Sequence, residues 1–248
     1  MRLKQNPKLI GSNLHDCRTQ VGACPLHCNQ CYYNREGAFY CDINKTHIPS
    51  PRTVGHGIAR MNAGHDSNYR RGEVIRQAKK YKHAFYNTSI PQFDFPGPVV
   101  FTANPKEEDV PTIIMAKELP SDEELKKIMF IRLRVSASNL DLVGDQISCW
   151  VRLDIPVVLT FMAYYEDNAL QKVLEKVPEA QVYYEWKVRH VNSYYCPTKN
   201  FKKMVMKRMN RIGGRLVSMC GTFESNQCVD CKNCETFYWQ TMKHLNGE

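Results

Sequence analysis

The sequence predicts an α/β protein: a parallel sheet with helices around it, forming a partial or complete (β/α) barrel, followed by a cysteine-rich lobe at the C-terminus. Three observations carry this. Short apolar runs bounded by turn residues alternate with segments of helical periodicity, as strands joined through helices do. Eleven cysteines fall mostly into two knots. Hydrophobic residues at 43% and charged residues at 24% are those of a globular chain, not a disordered or fibrous one. The 248 residues suffice for one barrel-sized domain, read as residues 1–219, with the lobe at 220–248. An open doubly wound sheet fits the same alternation.

In chain order, the opening strand is expected around 19–21, just before the first knot. Further strands are expected at 57–61, 84–87, 98–102, 130–135, 156–161 and 215–219, each a short apolar run between turn signals. Ser121 and Glu124 make a capping box that leads into Leu125 and Ile128. After Ser138 and Asn139, Leu140, Val143, Ile147, Trp150 and Val151 recur at helical steps. A second stripe of Phe201, Met204, Val205, Met209 and Ile212 ends at Gly213 and Gly214. The aromatic stretch 181–197 reads as one strand with a polar exit.

No run approaches the roughly 18 apolar residues of a membrane span, and the N-terminus lacks the apolar core of a secretory signal. A soluble, cytoplasmic protein without membrane contact is expected. An odd cysteine number in a reducing compartment points to metal, cluster or catalytic chemistry rather than disulfides. The first knot is Cys24, Cys28 and Cys31, flanked by Cys17 and Cys41; the second is Cys220, Cys228, Cys231 and Cys234. Thiolates two or three residues apart can turn inward and grip one metal centre. Three ligands on a four-iron cluster leave one iron open to a substrate or cofactor. The second knot has ferredoxin-like spacing, which suits a fully ligated second 4Fe–4S cluster, with zinc as the alternative. Its Asp230, Lys232 and Asn233 are read as a surface loop. Structural zinc is also open for the first knot, drawing on Cys17 and Cys41.

The Cx3Cx2C of Cys24, Cys28 and Cys31, in a loop after the first candidate strand, resembles the radical S-adenosylmethionine (SAM) superfamily. The resemblance implies a barrel of radical SAM type and a 4Fe–4S cluster on these three cysteines, with SAM chelating the fourth iron. It implies reductive cleavage of SAM to a 5′-deoxyadenosyl radical, which takes a hydrogen atom from a peptide, protein, nucleotide or RNA substrate. It also implies an electron donor such as ferredoxin or flavodoxin. The family's Gly-Gly-Glu-type motif, which binds the amino group of SAM, has Asn62, Ala63, Gly64 and Asp66 in its place. The usual aromatic residue before the third cysteine is Gln30 here, with Tyr32 and Tyr33 following.

Functional groups of barrels gather where strands end. Asn87, Ser89, Thr102, Asn104, Ser136, Ser138 and Tyr164 are therefore candidates for SAM hydroxyls and carboxylate, each being equally an ordinary cap in kind. At the exit of the aromatic stretch, His190, Tyr194 and Cys196 are the candidate catalytic residues facing the radical, and His65 is a weaker acid–base candidate. Net charge is +9, with basic stretches at 69–82 and 199–215 and an acidic one at 106–124. Basic helices attract polyanions, so a non-catalytic zinc or iron–sulfur protein that binds nucleic acid is the alternative function.

Overall fold

The computed structural model describes residues 6–28, 42–103, 120–165, 167–188 and 193–248. Among these, the strands are β1 (Leu14–Cys17), β2 (Ile58–Met61), β3 (His83–Thr88), β4 (Val99–Ala103), β5 (Ile128–Val135), β6 (Val157–Phe161), β7 (Tyr184–Lys187), β8 (Tyr194–Pro197) and β9 (Val217–Met219). The helices are α1 (Pro51–Val54), α2 (Arg71–Ala78), α3 (Asp122–Leu125), α4 (Leu140–Val151), α5 (Asp167–Lys176), α6 (Lys199–Gly213), α7 (Cys228–Cys231) and α8 (Asn233–Asn246). Seven strands form one sheet in the order β1-β2-β3-β4-β5-β6-β9, every pairing parallel. The order never reverses, so the doubly wound alternative, which requires a switch point, is not the one adopted.

Alternation along the strands divides the core in two. One face carries Met61, Phe101, Leu133, Val135 and Leu159 and is covered by α2, α4, α5 and α6 through Val74, Ile147, Leu170 and Phe201. The opposite face carries Leu14, Ile58, Phe85, Val100, Phe130 and Val158, and is covered by α8 through Phe237, Tyr238 and Met242. Both faces are thus buried, which is why β4 and β6 read as nearly unbroken apolar runs.

The C-terminal segment reaches both edges of the sheet. At β9, Asn233 Nδ2 donates to Met219 O (2.9 Å) and Ser218 Oγ (3.3 Å). Ahead of β1, Asn13 Nδ2 donates to Glu235 Oε1 (2.6 Å). Asp230 and Lys232 are on the surface, as expected, but residues 230–233 are not one loop: Asp230 lies in α7, Lys232 is a left-handed link at φ 56°, and Asn233 opens α8.

Two further expectations are corrected. The opening strand lies at Leu14–Cys17, not at 19–21. Its Asp16 looks wrong for a buried strand until Arg60 of β2 is seen beside it, Nε to Oδ1 at 3.3 Å. Beyond it the chain leaves the sheet, with Arg18 and His47 exchanging backbone bonds at 2.7 and 2.8 Å. The aromatic stretch is not one strand but a 3-10 turn (Pro178–Tyr183) followed by the β7–β8 antiparallel hairpin. The ring pair Trp186–Tyr195, 4.7 Å apart, joins its strands, and Tyr164 and Tyr195 exchange backbone bonds that dock it past the end of β6. Ser121 and Glu124 do form the expected capping box, although α3 ends at Leu125 because Ile128 already belongs to β5.

Candidate functional site

The chain from Thr19 to Gly22 is bonded to the loop that follows β2. Asn62, fully buried at φ 55°, ends β2 in a conformation asparagine tolerates better than most residues. Its Oδ1 accepts from Thr19 N (3.3 Å) and Oγ1 (3.4 Å), and its Nδ2 donates to Asp66 O (3.2 Å). Gln20 Nε2 donates to Tyr69 O (2.6 Å). His65 Nε2 lies 2.8 Å from Gly22 O; since a carbonyl only accepts, Nε2 carries the proton. Burial holds His65 below the ordinary imidazole range, which leaves Nδ1 a bare acceptor. Among the described residues, His65 Nδ1 and Ser67 Oγ are buried polar atoms without a hydrogen-bond partner. Buried polar atoms are rarely left so.

Asp66, 1% exposed, accepts from Asn68 N (2.8 Å), Thr88 Oγ1 (2.9 Å) and Ser89 N. Burial pushes its carboxyl up, against the pull of these bonds. Gly64, at φ 109°, completes the turn between Asn62 and Asp66. The segment leading into the first knot, Thr19 to Gly22, is thereby tied to the loop after β2. Cys24 is buried and Cys28 half-buried, whereas Cys31 and Cys41 lie outside the described residues. Cys17 sits apart, as a core thiol 3.6 Å from Tyr81 Oη and pushed up to about 11 by burial.

The face under α8 holds a second feature. Two residues past its apolar positions 14, 58, 85, 100, 130 and 158 stand Asp16, Arg60, Asn87, Thr102, Arg132 and Thr160, and a two-residue step returns to the same face. An apolar floor thus gives way to a polar belt toward the C-terminal strand ends. Asn6 Nδ2 donates to Asp16 Oδ2 (3.2 Å), and Asn87 Nδ2 to Met61 O (2.8 Å). Arg132 Nη1 donates to Asn87 Oδ1 (3.4 Å) and Thr102 Oγ1 (3.3 Å). Thr160 Oγ1 is buried without a partner among the described residues.

The second knot faces this belt. Cys231 Sγ lies 3.9 Å from Met219 O, the carbonyl just before Cys220. The neighbouring Cys231 thiol holds Cys220 well below the usual thiol range, aided by the charges of Arg132, Lys8 and Arg60. The neighbouring Cys220, with burial, pushes Cys231 up; burial raises Cys234 and takes Cys228 to about 11. Among the described residues no three His, Cys, Asp or Glu side chains are already set as ligands of a metal ion.

The remaining candidates divide. Ser136 is buried and accepts from Tyr164 Oη (2.7 Å); with Ser138 and Asn139 it forms the turn that starts α4. Tyr194 is buried with its ring 5.4 Å from that of Tyr165. Cys196 Sγ lies 3.5 Å from Glu185 Oε1, and burial raises its thiol. Burial lowers Lys202, against the pull of the Cys196 and Cys220 thiols and with the charges of Lys8 and Lys187. His190 and Asn104 lie outside the described residues. Sequence reasoning missed Asp16, Arg60 and Arg132, for which the available signal was an arginine inside each of two strand-like runs. Among the described residues no helix is long and apolar enough to cross a membrane. No protein-family model, curated protein or solved structure matches the chain.

Proposed function

We propose that the chain is a radical SAM enzyme, with a 4Fe–4S cluster on Cys24, Cys28 and Cys31 whose open iron takes SAM. The observation that carries this is the seating of the Cx3Cx2C loop. The segment that leads into it leaves the first strand of an all-parallel sheet in chain order and is tied, through Thr19 to Asn62 and Gly22 to His65, to the loop after the second strand. Unsatisfied buried polar atoms at His65 and Ser67, on the loop that holds the segment leading into Cys24, suit a bound group with polar atoms of its own. When bound, such a centre supplies the electron that cleaves SAM to methionine and a 5′-deoxyadenosyl radical, which takes a hydrogen atom from the substrate.

The protein's own residues would place and shield that chemistry. Asn62 fixes the knot against β2, while His65 Nδ1 can accept from, and Ser67 Oγ can donate to, a bound polar group. Asn87, Thr102 and Arg132 offer hydrogen bonds from the sheet, above a floor of Phe85, Val100 and Phe130 that excludes water. Cys196 and Tyr194, on the hairpin, would be the candidate hydrogen-atom donors. Lys187 and Lys202 beside Cys196 favour an anionic substrate among the peptide and nucleotide classes, and an electron donor such as ferredoxin or flavodoxin would complete the system.

The test is electron paramagnetic resonance of the anaerobically reconstituted, reduced protein with and without SAM. SAM should change the cluster signal of the wild type and leave that of Cys28→Ala unaltered. A wild-type signal indifferent to SAM would contradict the proposal and favour the non-catalytic reading. That reading is then checked by titrating nucleic-acid binding with salt, where several phosphate contacts would give a steep loss of affinity.

A further inference from the structure

We infer that Cys220, Cys228, Cys231 and Cys234 hold an iron–sulfur cluster of their own against the α8 face of the sheet, where Arg60 and Arg132 supply its counter-charge and where it ties the last strand to the first. This second site is independent of the reading given to Cys24, Cys28 and Cys31. Cys220 follows β9 directly, Cys228 and Cys231 bound α7, and Cys234 lies in the first turn of α8. The chain between them folds back on itself at two left-handed positions, Gly221 at φ 84° and Lys232 at φ 56°. At Gly221 a Cβ would stand 2.7 Å from Ser225 O, so the turn after Cys220 requires glycine. Cys228 and Cys234 pack against the apolar floor, and Cys231 Sγ lies 3.9 Å from the carbonyl of Met219, the residue before Cys220.

Charge supplies the second line of support. A four-thiolate centre carries more negative charge than its metal balances, and buried charge is costly unless paired. Arg132 has neutral bonded partners on the sheet, Asn87 and Thr102, and its charge favours the Cys234 thiolate. Arg60, also paired with Asp16, adds a charge that favours thiolates at Cys220, Cys228 and Cys234. The two arginines of this sheet face thus bear on three of the four sulfurs. Spacing selects the occupant: three cysteines at successive three-residue steps make a ferredoxin-like run, whereas zinc sites pair one short hook with another farther along the chain. Because α7 and α8 touch both Met219 and Asn13, the filled site closes the gap between the edges of the sheet.

The experiment measures iron, sulfide and zinc per chain in full-length protein reconstituted without oxygen. It compares two variants, Cys24→Ala/Cys28→Ala/Cys31→Ala and Cys228→Ala/Cys231→Ala/Cys234→Ala. The first should keep about four irons and four sulfides per chain, and the second should lose that share. Adding Arg132→Gln to the first variant should keep the iron and lower the midpoint potential, since one cation fewer stabilises the more negative reduced state. Zinc without sulfide in the first variant, or no metal there, would overturn the inference, and an unmoved potential would remove Arg132 from it. If the wild type fails to respond to SAM while the first variant keeps its iron, the proposed function falls and this site stands.

Discussion

The docking of α8 onto the sheet can be tested at Tyr238. The side chain is 2% exposed, its ring centre stands 6.4 Å from Phe85 and 5.0 Å from Trp239, and its hydroxyl lies 3.4 Å from His83 Nδ1. Tyr238→Phe removes only a long hydrogen bond, so its cost should be about 0.5 kcal/mol, the low end for a bond remade with water. Tyr238→Ala also empties a ring-sized space that β3 and α8 cannot close, with a cost of about 3–5 kcal/mol. Against a total stability of about 5–15 kcal/mol, that loss is plain in a urea titration followed by tryptophan fluorescence. The titration is run reduced and with chelator, so that metal binding does not add to the folded state. An alanine variant within about 0.5 kcal/mol of wild type, with an unchanged denaturant slope, would refute the packing of α8 over Phe85.

The other predictions address the strand ends and the loops. Asp16→Asn strips Arg60 of its charge partner in a site where Asp16 is 1% exposed, and should cost about 3 kcal/mol by thermal melting; an unchanged melt would mean that water, not Asp16, compensates Arg60. Gly221→Ala should destabilise by more than about 1 kcal/mol through its positive φ and its approach to Ser225 O, and equal stability would mean that the turn relaxes. Burial lowers His15, His47 and His65 from 6.5, so folding favours their neutral forms. Stability should therefore be complete above about pH 6.5 and decline as pH falls below it, where the unfolded chain takes up protons the folded imidazoles refuse. Denaturant midpoints at pH 5.5 and 7.5 measure this, and His65→Gln should shrink the difference; no decline would contradict the assigned environments.

How much of this was readable in the sequence depends on whether each signal was local. β4, β5 and β6 are legible because burial on both faces makes their sequences mostly apolar, with Arg132 and Arg134 the exceptions in β5. The helix α4 is legible because Val143, Ile147 and Trp150 all face one core. β1 was misplaced because Asp16 makes sense only beside Arg60, which stands more than forty positions later in the chain. The helix α8 was hidden by the cysteines that introduce it, although Phe237, Tyr238 and Met242 mark its buried stripe. In the candidate site the two knots follow from spacing alone. The polar belt does not, since Asn87, Thr102 and Arg132 come from three strands and meet only once the register of β3, β4 and β5 is set. Ser136 and Ser138 show the converse: a polar strand end that resembles a ligand site and serves as the start of a helix.

The most direct measurement of the central claim is the yield of 5′-deoxyadenosine from SAM by the reconstituted, dithionite-reduced protein, wild type beside Cys24→Ala, Cys28→Ala and Cys31→Ala. The account predicts product from the wild type and none above background from the three variants, each still folded by circular dichroism. Product from all four proteins, or from none of them with the wild-type iron and sulfide in place, would contradict it.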